Sequence, residues 1–209
     1  MSAEDKWKVR VEAATEDIEG FGIGYKDVDP LQRAITKVMF WTDYTQFIST
    51  NAPKVYFENE AYIRQHWPWK TLEHEWVHLK DADTFFGLLP FMPLWFNRKV
   101  FGAAYLFPQI LGLGALGAIG AIFFPPLLAC LGCLLFAAPW PAPFRAWAEV
   151  RAYRRSIELR PSMEEQKVEE YSKYFTGPDY YFMWPFKQGI RSWLTSGPSP
   201  YREEMDALD

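Results

Sequence analysis

The sequence predicts an α+β fold, mostly helical, with a small sheet and an inserted apolar helical hairpin. Three observations predict it. Helical periodicity and capping residues recur along most of the chain. Short runs of strand-forming residues gather within the first 65 positions. Finally, 45 consecutive residues, Val100 to Phe144, contain no Asp, Glu, Lys or Arg, although the rest of the chain is rich in charge. A chain of 209 residues with 49% hydrophobic content has enough apolar surface for one ordinary core. Its mean hydropathy of -0.19 averages over that local block. These features divide the chain into residues 1–99, a first core part; 100–144, the apolar hairpin; and 145–209, a second core part.

The net charge is -4, with acidic and basic residues interleaved. No basic stripe is present, which argues against a nucleic-acid partner. The first residues, Met-Ser-Ala-Glu-Asp-Lys-Trp-Lys, lack the apolar run of a secretory signal. A cytosolic start is therefore expected.

Trp7, Val9 and Val11 alternate with charged residues, a strand pattern. Gly20, Gly22 and Gly24 predict a loop or irregular strand. Asp29-Pro30 opens a helix, because Asp caps, Pro suits the first turn and Gln32 completes a capping box. Leu31, Ile35, Val38, Trp41 and Ile48 give that helix its apolar face, and it should end before Asn51-Ala52-Pro53. Residues 54–57 and 61–65 read as two short strands turning through Glu58-Asn59-Glu60. Thr71 caps a helix running to about Thr84. Residues 85–96, with Pro90 and Pro93, do not form one regular helix, and Asn97-Arg98-Lys99 is a polar stop. After the apolar block a helix runs from about Phe144 to before Pro161. Ser162 to Glu165 is a capping box for another, up to Gly177. A short helix from Lys187 to about Ser196 and a loose tail complete the chain.

The chemistry-bearing motif is His74-Glu75-Trp76-Val77-His78. Residues four apart share one helix face, so His74 and His78 can aim ring nitrogens at one ion. Glu75 then stands beside a metal-bound water and acts as its general base. The ion expected from two imidazoles is Zn2+. A third ligand ten residues after the first histidine would fall on Thr84, which excludes that pattern. The other solution is a Glu on a later helix, and Glu149, within Glu149-Val150-Arg151-Ala152-Tyr153, is the best candidate, with Glu158 weaker. Tyr153, one turn on, is a candidate for contacting a substrate oxygen, against plain packing. Asp81 and Asp83 are candidate partners of a ligand histidine, and His66 a candidate oxyanion stabiliser; the alternatives are polar helix ends and a surface histidine.

With these two motifs the chain resembles the gluzincin zinc peptidases, whose second helix carries Glu-x-x-Ala followed by Asp or Tyr. The likeness covers about 30 residues of 209. It implies a zincin-like core, a peptide or protein substrate, and His74, His78 and Glu149 as the zinc ligands.

His78 and Glu149 are separated by 70 residues, mostly apolar, so a block that leaves and returns should be a hairpin. Phe101 to Phe124 spans 24 residues, long enough for a bilayer, and Leu127 to Ala138 spans 12 after a turn at Pro125-Pro126. Gly114 with Ala118 and Gly117 with Ala121 suit close helix packing. Trp95 and Trp140 flank the block, with Arg98, Lys99 and Arg145 just outside. The expectation is a membrane location with the catalytic core on the cytoplasmic side, and a lipid or hydrophobic protein partner. HtpX-like membrane zinc peptidases are similar in placing a membrane hairpin between the His-Glu helix and the later Glu. Cys130 and Cys133 read as small apolar residues of a buried helix rather than a redox or metal pair. The function expected is a membrane-associated zinc metallopeptidase. The alternative is a structural or membrane-inserting protein, such as a virion component, without proteolytic role.

Overall fold

Ser2 opens the first helix, α1 (Ala3–Asp17): its hydroxyl accepts from the Asp5 amide while the Asp5 carboxylate accepts from the Ser2 amide. Trp7, Arg10, Ala14 and Ile18 are buried at helical spacing. That period overrides the Trp7–Val9–Val11 alternation, and the expected strand is a helix. The computed structural model describes residues 1–38, 44, 48–84, 92–108, 111, 114, 117–119, 125–137, 141–177 and 182–208. The chain forms two compact units, Met1–Arg98 with Pro198–Asp209, and Lys99–Gly197.

In the first unit, β1 (Gly22–Tyr25) falls where the glycine run predicts an irregular strand. α2 (Pro30–Val38) starts at the predicted proline, and the Asp29 carboxylate accepts from the Gln32 amide at 3.0 Å. Its expected apolar face departs from prediction at Leu31, which is 55% exposed; Trp41 lies outside the described residues. β2 (Ser49–Asn51) and β3 (Lys54–Phe57) complete a three-stranded sheet in the order β1-β3-β2. β3 is central, parallel to β1 with Gly22 opposite Lys54 and antiparallel to β2 with Thr50 opposite Val55. Its Val55, Tyr56 and Phe57 are all buried, and Trp7 meets Phe57 edge-on at 5.4 Å.

The predicted strand at 61–65 is instead part of helix α3 (Glu60–His66). Asn59 caps it by accepting from the Tyr62 amide at 2.8 Å, and only Ile63 of the helix is buried. α4 (Trp69–Thr84) ends where expected but starts two residues before Thr71, which lies inside the first turn. α5 (Leu94–Leu106) begins before Asn97-Arg98-Lys99, so the expected polar stop is helical. Arg98 there forks onto Asp83, at 2.5 and 2.9 Å. Most of the expected irregular stretch 85–96 lies outside the described residues. The C-terminal residues are not a loose tail. They form α9 (Arg202–Asp206), whose Met205 is fully buried, while the Tyr201 hydroxyl donates to Asp81 at 2.9 Å.

The second unit is built on α6 (Pro143–Glu158), α7 (Glu164–Thr176) and α8 (Lys187–Thr195), close to the predicted ranges. A single 3₁₀ turn, Pro161–Met163, precedes α7, and no side chain caps that helix, so the Ser162 capping box does not form. Val150, Ile157, Val168, Phe175, Ile190 and Leu194 are part of its core.

The apolar block does not make the expected membrane spans. Among the described residues no helix is long and apolar enough to cross a membrane. α5 has 13 residues, and Arg98 and Lys99 lie within it. At about 1.5 Å per residue it reaches roughly 20 Å, short of the ~30 Å apolar thickness of a bilayer. Pro108, with no amide hydrogen, stands just past its end. Pro125–Ala137, where a turn and second arm were expected, is a 3₁₀ helix. The transmembrane hairpin, the membrane location and the cytoplasmic orientation are therefore corrected. Trp140 lies outside the described residues, and Trp95 is 65% exposed. Of the small residues expected to pack membrane helices, Ala121 lies outside the described residues, and the two glycines meet cysteines instead. A Cβ on Gly114 would stand 2.8 Å from Cys133 Sγ, and one on Gly117 2.9 Å from Cys130 Sγ, so both approaches require glycine. The cysteines are free and half-buried rather than fully enclosed.

Candidate functional site

α4 displays the motif because its spacing is helical and its faces are almost wholly enclosed. Leu72, Trp76, Val77 and Leu79 anchor it in the core, leaving Glu73, His74, Glu75, His78 and Asp81 as buried polar groups. Burying so many polar groups on one helix requires a partner for each. Glu73 pairs with Arg10 of α1, both side chains fully buried, and the Arg10 guanidinium lies 4.6 Å from the Trp69 ring centre. Trp76 donates to Asp17 at 2.9 Å. These contacts fix the rotation of α4 about its axis.

With that rotation set, His74 and His78 fall on one face. Their ring centres are 5.1 Å apart with planes at 77°, and each offers a nitrogen within 4.8 Å of the other's. Two imidazoles held on one helix face are a pair suited to a common ion. Glu75 points toward the sheet. Thr50 of β2 donates its hydroxyl to Glu75 Oε2 at 2.5 Å. The Lys26 ammonium, just after β1, donates to the Tyr44 carbonyl at 2.8 Å and lies 3.7 Å from the Tyr44 ring centre. Burial lowers the Lys26 pKa to about 8, opposed by the negative charge of Glu75. Neither Thr50 nor Lys26 was apparent in the sequence. Ser49-Thr50-Asn51 carries no apolar alternation, and one lysine among many gives no signal.

Asp81 accepts from Tyr201, and Asp83 holds Arg98. Both carry helix-packing contacts not anticipated from the sequence. His66 is exposed at the end of α3, stacked on Tyr62 at 4.6 Å with Nδ1 3.0 Å from the Tyr62 carbonyl oxygen.

In the second unit, α6 buries Glu149 at 2% exposure. Tyr105, from the last turn of α5, donates its hydroxyl to Glu149 Oε1. The Arg145 guanidinium, one turn before Glu149 on α6, lies 5.1 Å from the Tyr105 ring centre and also hydrogen-bonds its hydroxyl. Desolvation, followed by the Glu149 charge, pushes the Tyr105 phenol above its ordinary value, so it remains a donor. Tyr105 was missed, although a phenol inside an uncharged block is a signal, since a sheltered hydroxyl seeks a partner. Tyr153 is placed in the aromatic core, 4.3 Å from Tyr171 and 5.8 Å from Phe175 between ring centres. Glu158 lies 3.6 Å from Arg155.

Known protein families, curated protein sequences and solved structures contain no match to this chain.

Proposed function

We propose that the chain is a metal-dependent hydrolase of peptide bonds, with a zincin-like core in which His74, His78 and Glu149 hold zinc. The observation that carries this reading is the buried histidine pair on one turn of α4 with Glu75 beside it. Two imidazoles and a carboxylate are a donor set suited to zinc, and three protein ligands leave a fourth position for water. Zinc in such a site supplies Lewis acidity, lowering the pKa of water and polarising a carbonyl.

The chain's own residues do the rest. Glu75 takes the proton of the attacking water and returns it to the leaving amine. Thr50 holds one carboxylate oxygen of Glu75 and thereby sets the direction of the other. Lys26 places a positive charge near Glu75, on the sheet side of the helix. A peptide substrate is favoured because β2 is an edge strand carrying Thr50, and extended peptides add to such edges.

Glu75→Gln tests the reading. The variant should bind zinc as the native chain does and lose hydrolysis of an unstructured protein substrate by at least a hundredfold. Equal hydrolysis by both proteins would refute Glu75 as the base. Absence of hydrolysis from zinc-loaded native protein would leave a structural metal site instead.

A further inference from the structure

We propose that Tyr105 is the positioning residue for the metal-ligating carboxylate of Glu149. The inference rests on the zinc-hydrolase reading above, and it gives the first turns of the apolar block a specific task. A carboxylate on a two-carbon stem rotates unless something holds it. A metal ligand that rotates loses affinity, because its ordering must be completed on binding.

The geometry around Glu149 supplies that hold. Arg145 and Glu149 stand one turn apart on α6, and Tyr105 reaches across from the last turn of α5 to meet both. A guanidinium only donates, whereas a phenol both donates and accepts. The Tyr105 hydroxyl therefore accepts from Arg145 and directs its own proton to Glu149 Oε1. The direction of that bond is fixed by chemistry, not by chance rotation of the hydroxyl. The backbone keeps the phenol in place: Phe101, one turn earlier on α5, is buried and packs edge-on against Phe144 at 5.4 Å between ring centres. Tyr105 is thus tied to α6 through both its helix and its hydroxyl.

The test is titration of the full metal-free chain with Co2+ alone, read by visible absorbance and by competition with a chromophoric chelator. Tyr105→Phe keeps the ring and removes the hydroxyl. Its Co2+ affinity should fall about 10–100-fold, with altered visible bands, because outer-shell partners orient ligands to that degree. Tyr171→Phe, at a buried phenol of the same unit, should leave affinity and bands unchanged. A general loss of packing would move melting temperature in both variants but not the cobalt bands. If Tyr105→Phe binds as the native chain does while Glu149→Gln is weakened, the positioning role is wrong and the zinc reading stands. If the native chain takes up no Co2+, both fall. Should Tyr105→Phe fail to fold, Arg145→Met carries the test, with a several-fold loss expected and no change contradicting the proposal.

Discussion

The Thr50 hydroxyl on β2 donates to Glu75 Oε2 on α4 across 2.5 Å, joining the edge of the sheet to the residue proposed as general base. Thr50→Val keeps the β-branched shape and removes the donor. A hydrogen bond to a charged group contributes about 1.5–3 kcal/mol, so hydrolysis should slow roughly tenfold or more. Zinc content should be unchanged, and Thr50→Ser should recover most of the rate. Steady-state kinetics on metal-loaded protein checks this; a loss confined to KM would assign Thr50 to substrate binding instead.

Lys26 makes stability depend on pH with a definite sign. Its folded pKa of about 8 lies below the ordinary 10.5. Between these values the unfolded chain still holds a proton that the folded chain has released. The unfolded state binds more protons there, so the contribution of Lys26 to stability rises with pH across that window. Below it the full cost of burying the charge is present. Lys26→Met lacks this dependence. The melting temperature of native protein minus that of Lys26→Met should therefore increase from pH 8 to pH 10, and a flat or falling difference contradicts the assignment.

Arg10 and Glu73 form a fully buried ion pair between α1 and α4. Removing one partner leaves a charge in the interior. Arg10→Met should cost roughly 3–5 kcal/mol, and Arg10→Met with Glu73→Leu markedly less. Chemical denaturation of the two variants measures both. Equal losses would mean that the pair is not the source of the cost.

The C-terminal residues should matter for stability. Met205 is fully buried, Lys80 pairs with Glu204 and Tyr201 reaches Asp81. Met205→Ala should lower stability by about 2–5 kcal/mol. A loss under 1 kcal/mol would show that α9 is dispensable.

The sequence exposed the helices whose signals are local. Asp29-Pro30 starts α2, and the polar helices α6, α7 and α8 lie near their predicted ranges because apolar periodicity, with proline at the start of α6 and just past its end, marks them locally. It misled where two patterns compete. Trp7-Val9-Val11 alternates, but Ser2 with Asp5 and the 3–4 spacing of Trp7, Arg10 and Ala14 make a helix. Residues 61–65 contain the strand formers Tyr62 and Ile63, but the Asn59 cap makes a helix there too. Hydropathy alone predicted a membrane span at Phe101–Phe124, yet α5 had already begun at Leu94 and ends at Leu106 before Pro108. Of the site, the histidine pair and Glu75 were legible because four-residue spacing is a local property. Thr50, Lys26 and Tyr105 reach their partners from 25, 49 and 44 positions away, and no periodicity encodes such contacts.

The central claim is most directly tested by elemental analysis of purified chain after zinc loading and removal of free ion. Native protein should retain one zinc per chain, while His78→Ala and Glu149→Ala should each retain only a small fraction under the same conditions. Native protein without zinc, or variants that hold as much as the native chain, would contradict the account.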